Sequence, residues 1–270
     1  MIFEHEIPSG SRFYFGKSAK IKREIEQIAS EVFDTYEFEE IITPYFSYHQ
    51  QEAVNEKDII KLTDPQNRNL ALRADSSIDV IRLVIKRLKS EAKKWFYIQP
   101  VFRYPTSEIY QIGAEWFEGD LQKTLEINKQ ILSRLNKNYT LQISHIKIPE
   151  IVCELTGLNL EDIKKMRIYK FNEEWLKKLI EVHSKEDLKN LSIYPEKIRP
   201  YLEEIKELAD ENTVVAPLYV TNLRYYTGVF YRFIKNNNVY AKGGEYQVEG
   251  IRSVGFSIYT DNLIKDIMNG

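Results

Sequence analysis

Cysteine is nearly absent: Cys153 stands alone, so no disulfide can close within the chain and a cysteine-based metal site is implausible. Histidine is scarce as well, and His5, His49, His145 and His183 are too widely spaced for a metal-ligand pattern. There is no glycine-rich phosphate loop, since Gly243-Gly244 alone is too weak a signal for one. No apolar run approaches the length of a membrane span. The first eleven residues carry Glu4, His5 and Glu6 where a secretory signal would have basic and then apolar residues. A soluble, cytoplasmic protein is expected. Charge of either sign is also missing in excess: 38 basic residues meet 40 acidic ones, for a formal net charge of -2. That balance argues against a surface dominated by phosphate contacts, although it leaves room for a local basic patch.

What is present is enough for a large core. The 270 residues are 43% hydrophobic, which fits one large domain or one domain with an insertion. Ile21, Ile25, Ile28, Ala29, Val32 and Phe33 recur at helical spacing over residues 18–33. Residues 39–45 read as a strand ending at Pro44. Residues 58–62 and 69–73 flank a turn rich in Asp, Pro and Asn and predict a hairpin. A helix begins near Ser76 or Ser77, either of which suits its N-cap, and carries Val80, Ile81, Val84, Ile85 and Leu88. Strands are expected at 95–102 and 110–117, a helix at 124–135 and a strand at 140–148. Residues 149–209 turn Lys/Glu-rich with helical patterns at 174–182 and 200–208, which reads as a small helical insert. Strand chemistry returns at 214–219, in a hairpin of 225–234 and 239–247 across Lys235-Asn236-Asn237-Asn238, and at 254–259 before a short helix. Strands and helices mix without regular βαβ alternation, so the fold class is α+β with a largely antiparallel sheet.

The most informative run is Asn222-Leu223-Arg224-Tyr225-Tyr226-Thr227-Gly228. It resembles the histidine-recognition signature of histidyl-tRNA synthetases, Arg followed by Gly-Leu-Asp-Tyr-Tyr-Thr-Gly, with Thr221 at the Arg position and Arg224 at the Asp position. Other segments resemble the same class II family in order and spacing. Residues 36–44 look like motif 1, Leu70-Ala71-Leu72-Arg73-Ala74-Asp75-Ser76-Ser77 like its Leu-Arg-Pro-Glu-Gly-Thr segment, and Phe102-Arg103-Tyr104 with Gln111-Ile112-Gly113-Ala114-Glu115 like motif 2. Lys242-Gly243-Gly244-Glu245-Tyr246 with Gly255-Phe256-Ser257 looks like motif 3. The resemblance covers nearly the whole chain. It implies a single class II synthetase-like domain over 1–270: an antiparallel sheet flanked by helices, with the insert at 149–209 inside it.

The departures from the family pattern bear on function. Asn262 stands where the family's motif 3 arginine holds ATP, and an amide cannot neutralise phosphate as a guanidinium does. Thr221 removes a second cation that would stabilise charge developing during adenylation. The motif 2 loop is short, and no anticodon-binding domain is expected after motif 3. The amino-acid pocket is better kept. By resemblance, Asp75 replaces a Glu that meets the ligand's α-amino group, Gln111 matches a ligand-contacting Gln, Glu115 and Tyr226 match groups near the imidazole, and Tyr225 lines the same pocket. Arg103 retains the motif 2 arginine and joins this ligand set, although it could equally pair with a neighbouring carboxylate. Asp75, just before a helix, could equally serve as its cap. Arg73 could be held in a buried ion pair, and Arg224 has no assigned role.

This combination resembles the synthetase-like regulatory subunits of ATP phosphoribosyltransferase. The resemblance implies a non-catalytic subunit of histidine biosynthesis that partners a short-form catalytic subunit and takes histidine as its allosteric ligand. It implies no cofactor and no tRNA, and a homodimer within a hetero-oligomer, expected to be a hetero-octamer. Two alternatives stay open at this point: a truncated synthetase paralogue that forms histidyl-adenylate, and a histidine-binding module with some other partner.

Overall fold

The chain leads with a long amphipathic helix, α1 (Gly16–Thr35), which buries Ile21, Ile25, Ala29, Val32 and Phe33 at helical spacing. The computed structural model describes residues 3–50, 54–135, 138–221 and 225–269. Its contacts divide the chain into two compact units, Met1–Lys137 with Val248–Gly270, and Asn138–Gln247.

In the first unit, β1 (Glu39–Glu40), β5 (Lys94–Arg103), β6 (Ser107–Phe117) and β11 (Ile251–Tyr259) lie side by side in that order. The β1–β5 pair is parallel, and the β5–β6 and β6–β11 pairs are antiparallel. One face of this sheet packs an aromatic cluster. Phe33 of α1 stacks on Phe96 at 4.7 Å and lies 5.6 Å from Phe38 and 6.0 Å from Phe256. α1 also packs against α3 (Leu121–Arg134) and α8 (Thr260–Met268). Asp120 caps α3 by accepting from the Lys123 amide at 3.0 Å. A smaller sheet, β2 (Phe46–Ser47), β4 (Asn69–Leu72) and β3 (Lys61–Thr63), is antiparallel throughout. It leads into α2 (Ser77–Arg82), which continues as π-helical turns over Leu83–Leu88.

In the second unit, β10 (Asn238–Val248), β9 (Tyr226–Lys235), β7 (Thr140–His145) and β8 (Val214–Val215) lie side by side in that order. The β9–β10 hairpin turns at Asn236 and Asn237, both at positive φ, as the run of asparagines predicts. Between β7 and β8 the chain forms α4 (Lys147–Thr156), α5 (Leu160–Lys164), α6 (Glu174–Ile180) and α7 (Arg199–Leu208), closed on Ile163, Leu176, Leu179, Leu202 and Ile205. The chain is thus α+β.

Some boundaries move. The strand expected over 39–45 pairs only at Glu39–Glu40: Pro44 has no amide to give, and the Thr43 amide donates instead to the Gln99 side chain at 3.1 Å. The strand expected over 140–148 stops at His145, because α4 starts at Lys147 and takes Pro149 in its first turn, where a missing donor costs nothing. The strand expected over 214–219 shrinks to two residues before Pro217. Among the described residues, no helix is long and apolar enough to cross a membrane and no His/Cys/Asp/Glu cluster could hold a metal ion.

Candidate functional site

Strand register places the first-unit residues on one face. Gln111 pairs with Gln99 on one side and Tyr259 on the other, Gly113 with Tyr97 and Ser257, and Glu115 with Trp95 and Gly255. Phe96, Ala114 and Phe256, one residue out of phase, take the opposite face against α1. Gln111 and Glu115 therefore share a face, as their spacing predicts. Two side chains lie across this face rather than standing on it. A Cβ at Gly113 would overlap the Tyr97 ring. A Cβ at Gly255 would overlap the Glu115 carboxylate and come within 2.5 Å of the Ala114 carbonyl. Glu115 is fully buried.

Tyr97 escaped the sequence reading, because an aromatic in a strand signals core packing and nothing local reveals its neighbours. Its ring is buried, and its hydroxyl shares a 2.9 Å hydrogen bond with Ser257 Oγ and also bonds Ser77. Burial, followed by the charges of Glu115 and Asp75, pushes its hydroxyl well above the ordinary tyrosine range. It stays protonated, a neutral donor set among carboxylates.

Asp75 lies between β4 and α2. Its carboxylate accepts from the Ile78 amide at 3.3 Å, so Asp75 is the residue that caps α2, and Ser76 and Ser77 make no capping bond. Burial raises the Asp75 pKa, while the nearby Arg103 charge and the backbone amides of Ile78 and Ser77 oppose the rise. Arg103 ends β5 half-buried, close enough to act electrostatically on Asp75. Arg73 proves to be no ion pair. It is fully buried, and its guanidinium donates to the carbonyls of Thr43 (2.6 Å), Pro44 (3.3 Å) and Pro100 (2.6 and 3.0 Å) and to Thr43 Oγ1 (3.1 Å). It ties the residues after β1 to β5 just ahead of Asp75.

One turn into α2, burial pushes the Asp79 carboxyl up to about 6, helped by the Asp75 charge and opposed by the Ser47 hydrogen bond and by Arg82 and Arg73. The ordinary value is 3.8, so between roughly pH 4 and pH 6 the folded state keeps a proton that the unfolded chain has released. That contribution to stability is present at the acid end and lost as pH rises through the window. Asp79→Asn removes the effect. Urea unfolding should show wild type losing about 2 to 3 kcal/mol more than the variant between pH 4 and pH 7; parallel profiles would show that Asp79 titrates normally.

Tyr225 and Tyr226 belong to the second unit. Tyr226 opens β9, buried, and stacks on Phe230 at 5.6 Å. Tyr225 meets Tyr226 at 5.2 Å and Tyr246 edge-on at 5.4 Å. Gly228 leaves room for the Glu245 side chain, which a Cβ there would strike. Asn222, Leu223 and Arg224 lie outside the described residues. The first unit thus offers the buried Glu115 carboxylate, the Gln111 amide and the Tyr97 hydroxyl on one face, with the half-buried Asp75 close enough to act electrostatically on Tyr97 and with Arg103 at the end of β5. That set suits a ligand carrying an ammonium group and a second N–H donor.

The family model of histidyl-tRNA synthetase matches residues 10–215. The chain is 41% identical to an ATP phosphoribosyltransferase regulatory subunit of Wolinella succinogenes, over 99% of this chain and 98% of that one. It is 37% identical to the protein of the same name from Helicobacter hepaticus, over the full length of both. Among solved structures, an ATP phosphoribosyltransferase regulatory subunit/histidyl-tRNA synthetase from Bacillus halodurans superposes with a TM-score of 0.86 at 20% identity, covering 98% of this chain and 84% of that one. At that identity the match speaks for the fold, which is that of the class II synthetases. Identity across nearly the full length of both chains places the family more narrowly: this chain belongs to the histidyl-tRNA synthetase-like regulatory subunits of ATP phosphoribosyltransferase.

Proposed function

We propose that this protein is a non-catalytic subunit that binds histidine and makes a short-form ATP phosphoribosyltransferase catalytic chain sensitive to it. The observation that carries the reading is the 41% identity, end to end, with a chain named an ATP phosphoribosyltransferase regulatory subunit. The site chemistry supports it. Asp75 takes the ligand's ammonium group, Arg103 its carboxylate, Gln111 its flank and Glu115 the imidazole, while Tyr225 and Tyr226 are the aromatic share of the Tyr-Tyr-Thr-Gly run. A carboxylate held against imidazole separates histidine from other amino acids of similar size. Asn262 and Thr221, at positions where a synthetase carries cations, fit a chain that recognises an amino acid without activating it.

Regulation then follows by linkage. Histidine that binds the inhibited arrangement of the complex more tightly than the active one shifts the population by that difference in affinity. A homodimer is part of the reading: Ile42 within the motif 1-like segment and Tyr45 and Phe46 just after it are 76%, 54% and 59% exposed, an apolar face of the kind that a second copy covers.

The test is the rate of the short catalytic chain from the same source, with and without this protein, across a histidine titration. The rate should become histidine-sensitive only when this protein is present. A catalytic chain that neither binds it nor changes rate overturns the reading. Histidine-dependent exchange of pyrophosphate into ATP would favour the adenylating alternative instead.

A further inference from the structure

Residues 73–76 carry Asp75 between β4 and α2 and belong to neither element. Backbone holds the ends of this segment, with the Arg73 amide on the Tyr45 carbonyl, the Phe102 amide on the Arg73 carbonyl and the Val80 amide on the Ser76 carbonyl, while the Ala74 and Asp75 amides need side-chain partners. Gln50 supplies them. It is fully buried, and its Oε1 accepts from the Ala74 amide at 2.7 Å and the Asp75 amide at 2.8 Å. Its Nε2 donates to Asp79 Oδ2 at 2.6 Å, and Asp79 Oδ1 accepts from Ser47 Oγ at 3.2 Å. One side chain therefore ties the backbone of Asp75 to the first turn of α2 that follows it. The amide is polarised end to end: its oxygen faces two N–H groups and its nitrogen faces a carboxylate. A neighbouring glutamine, Gln99, binds Ser76 Oγ at 3.0 Å but leaves the Asp75 amide alone.

We propose that Gln50 is a positioning residue for ammonium recognition, setting the height and direction of the Asp75 carboxylate through the Asp75 amide. This rests on the histidine-binding reading above. It also assigns Asp79 a role: the carboxylate fixes which end of the Gln50 amide faces Asp75. A leucine of the same size would fill the space and leave two buried amides unpaired.

The polarity of the amide makes a decisive test possible. Gln50→Glu keeps acceptors for both backbone amides but sets a second carboxylate against Asp79, and at pH 8, well above the Asp79 value of about 6, the ionised pair repels instead of sharing a hydrogen bond. Combining Gln50→Glu with Asp79→Asn reverses the bond, so that the amide introduced at position 79 donates to the carboxylate introduced at position 50. The pair's total charge is unchanged. Histidine binding to the full chain is measured by calorimetry for wild type, each single variant and the pair. Gln50→Glu should weaken binding about 10- to 100-fold, the range that outer-sphere partners carry at metal sites, and the pair should recover most of it. In parallel, exchange of the Asp75 amide should quicken in Gln50→Glu and slow again in the pair.

A pair that binds no better than Gln50→Glu, with wild type binding well, overturns the positioning role and leaves the function standing. If Gln50→Glu does not fold, the pair is compared directly with wild type, and a pair that folds but has lost histidine also overturns the role. Wild type that does not bind histidine fails the underlying reading, and the inference falls with it.

Discussion

Replacing Glu115 by glutamine should cost about 100-fold or more in histidine affinity and leave assembly with the catalytic chain unchanged. Glutamine keeps the volume and an acceptor but loses the charge, and hydrogen bonds to charged groups carry about 1.5–3 kcal/mol. A 100-fold loss corresponds to about 2.7 kcal/mol. The fold has little reason to object, because the amide lies over Gly255 in the same space as the carboxylate. Glu115→Ala should weaken inhibition in the same direction. Tyr97 offers an independent reporter. Part of the rise in its pKa comes from the Glu115 charge, so its hydroxyl, followed through the Tyr97 ring resonances and not the absorbance of all 18 tyrosines, should be less raised in the variant. Calorimetry gives the affinity and sedimentation the assembly. Should the complex fall apart along with the binding, Glu115 is structural and its assignment to the ligand is wrong.

Arg73→Leu should be the most damaging single change to stability, at about 3–5 kcal/mol. The cost arises from what is left behind. The guanidinium satisfies carbonyls of Thr43, Pro44 and Pro100 at once, and a leucine leaves the buried Thr43 carbonyl and the part-buried Pro44 and Pro100 carbonyls without this donor. Burial already disfavours the charge and lowers the Arg73 pKa, so the residue persists for its geometry, a planar donor that reaches two chain segments together. Lysine would keep the charge but reach fewer carbonyls, and Arg73→Lys should fall between wild type and Arg73→Leu. Denaturant unfolding measures all three. A loss below about 1 kcal/mol for Arg73→Leu would mean that water enters and replaces the guanidinium.

Much of the architecture was legible because it is periodic. The apolar stripe of α1, the Asn-rich turn between β9 and β10, and the alternation that sets Gln111 and Glu115 on one face are local patterns, and the structure repeats them. The misplaced boundaries have a different cause. At Thr43 a side chain distant in sequence captured a strand amide, and periodicity holds no trace of Gln99. The capping of α2 fell to Asp75 rather than to the serines, since Ser76 Oγ is taken by Gln99. The site divides in the same way. Residues belonging to a recognisable run could be named, while Tyr97 and Gln50 could not: each is ordinary in its own segment and gains its role from partners tens of residues away. Arg73 was legible as buried but not as a binder of carbonyls, because sequence offers no sign of where a backbone will turn its oxygens.

Gly113 and Gly255 carry a consequence for how such a chain can change. Each is the bare patch on which a neighbouring strand's side chain reclines, Tyr97 on one and Glu115 on the other. One added methyl at either would evict that side chain from its resting place, and at Gly113 it would meet the Tyr97 ring, whereas at Gly255 it would also press on the Ala114 carbonyl. Receptor and scaffold are therefore one mutational step apart in this fold, and the step lies in residues that touch no ligand. A lineage could lose its sensitivity to an effector and keep its subunit, with Asp75, Arg103, Gln111 and Glu115 all still in place.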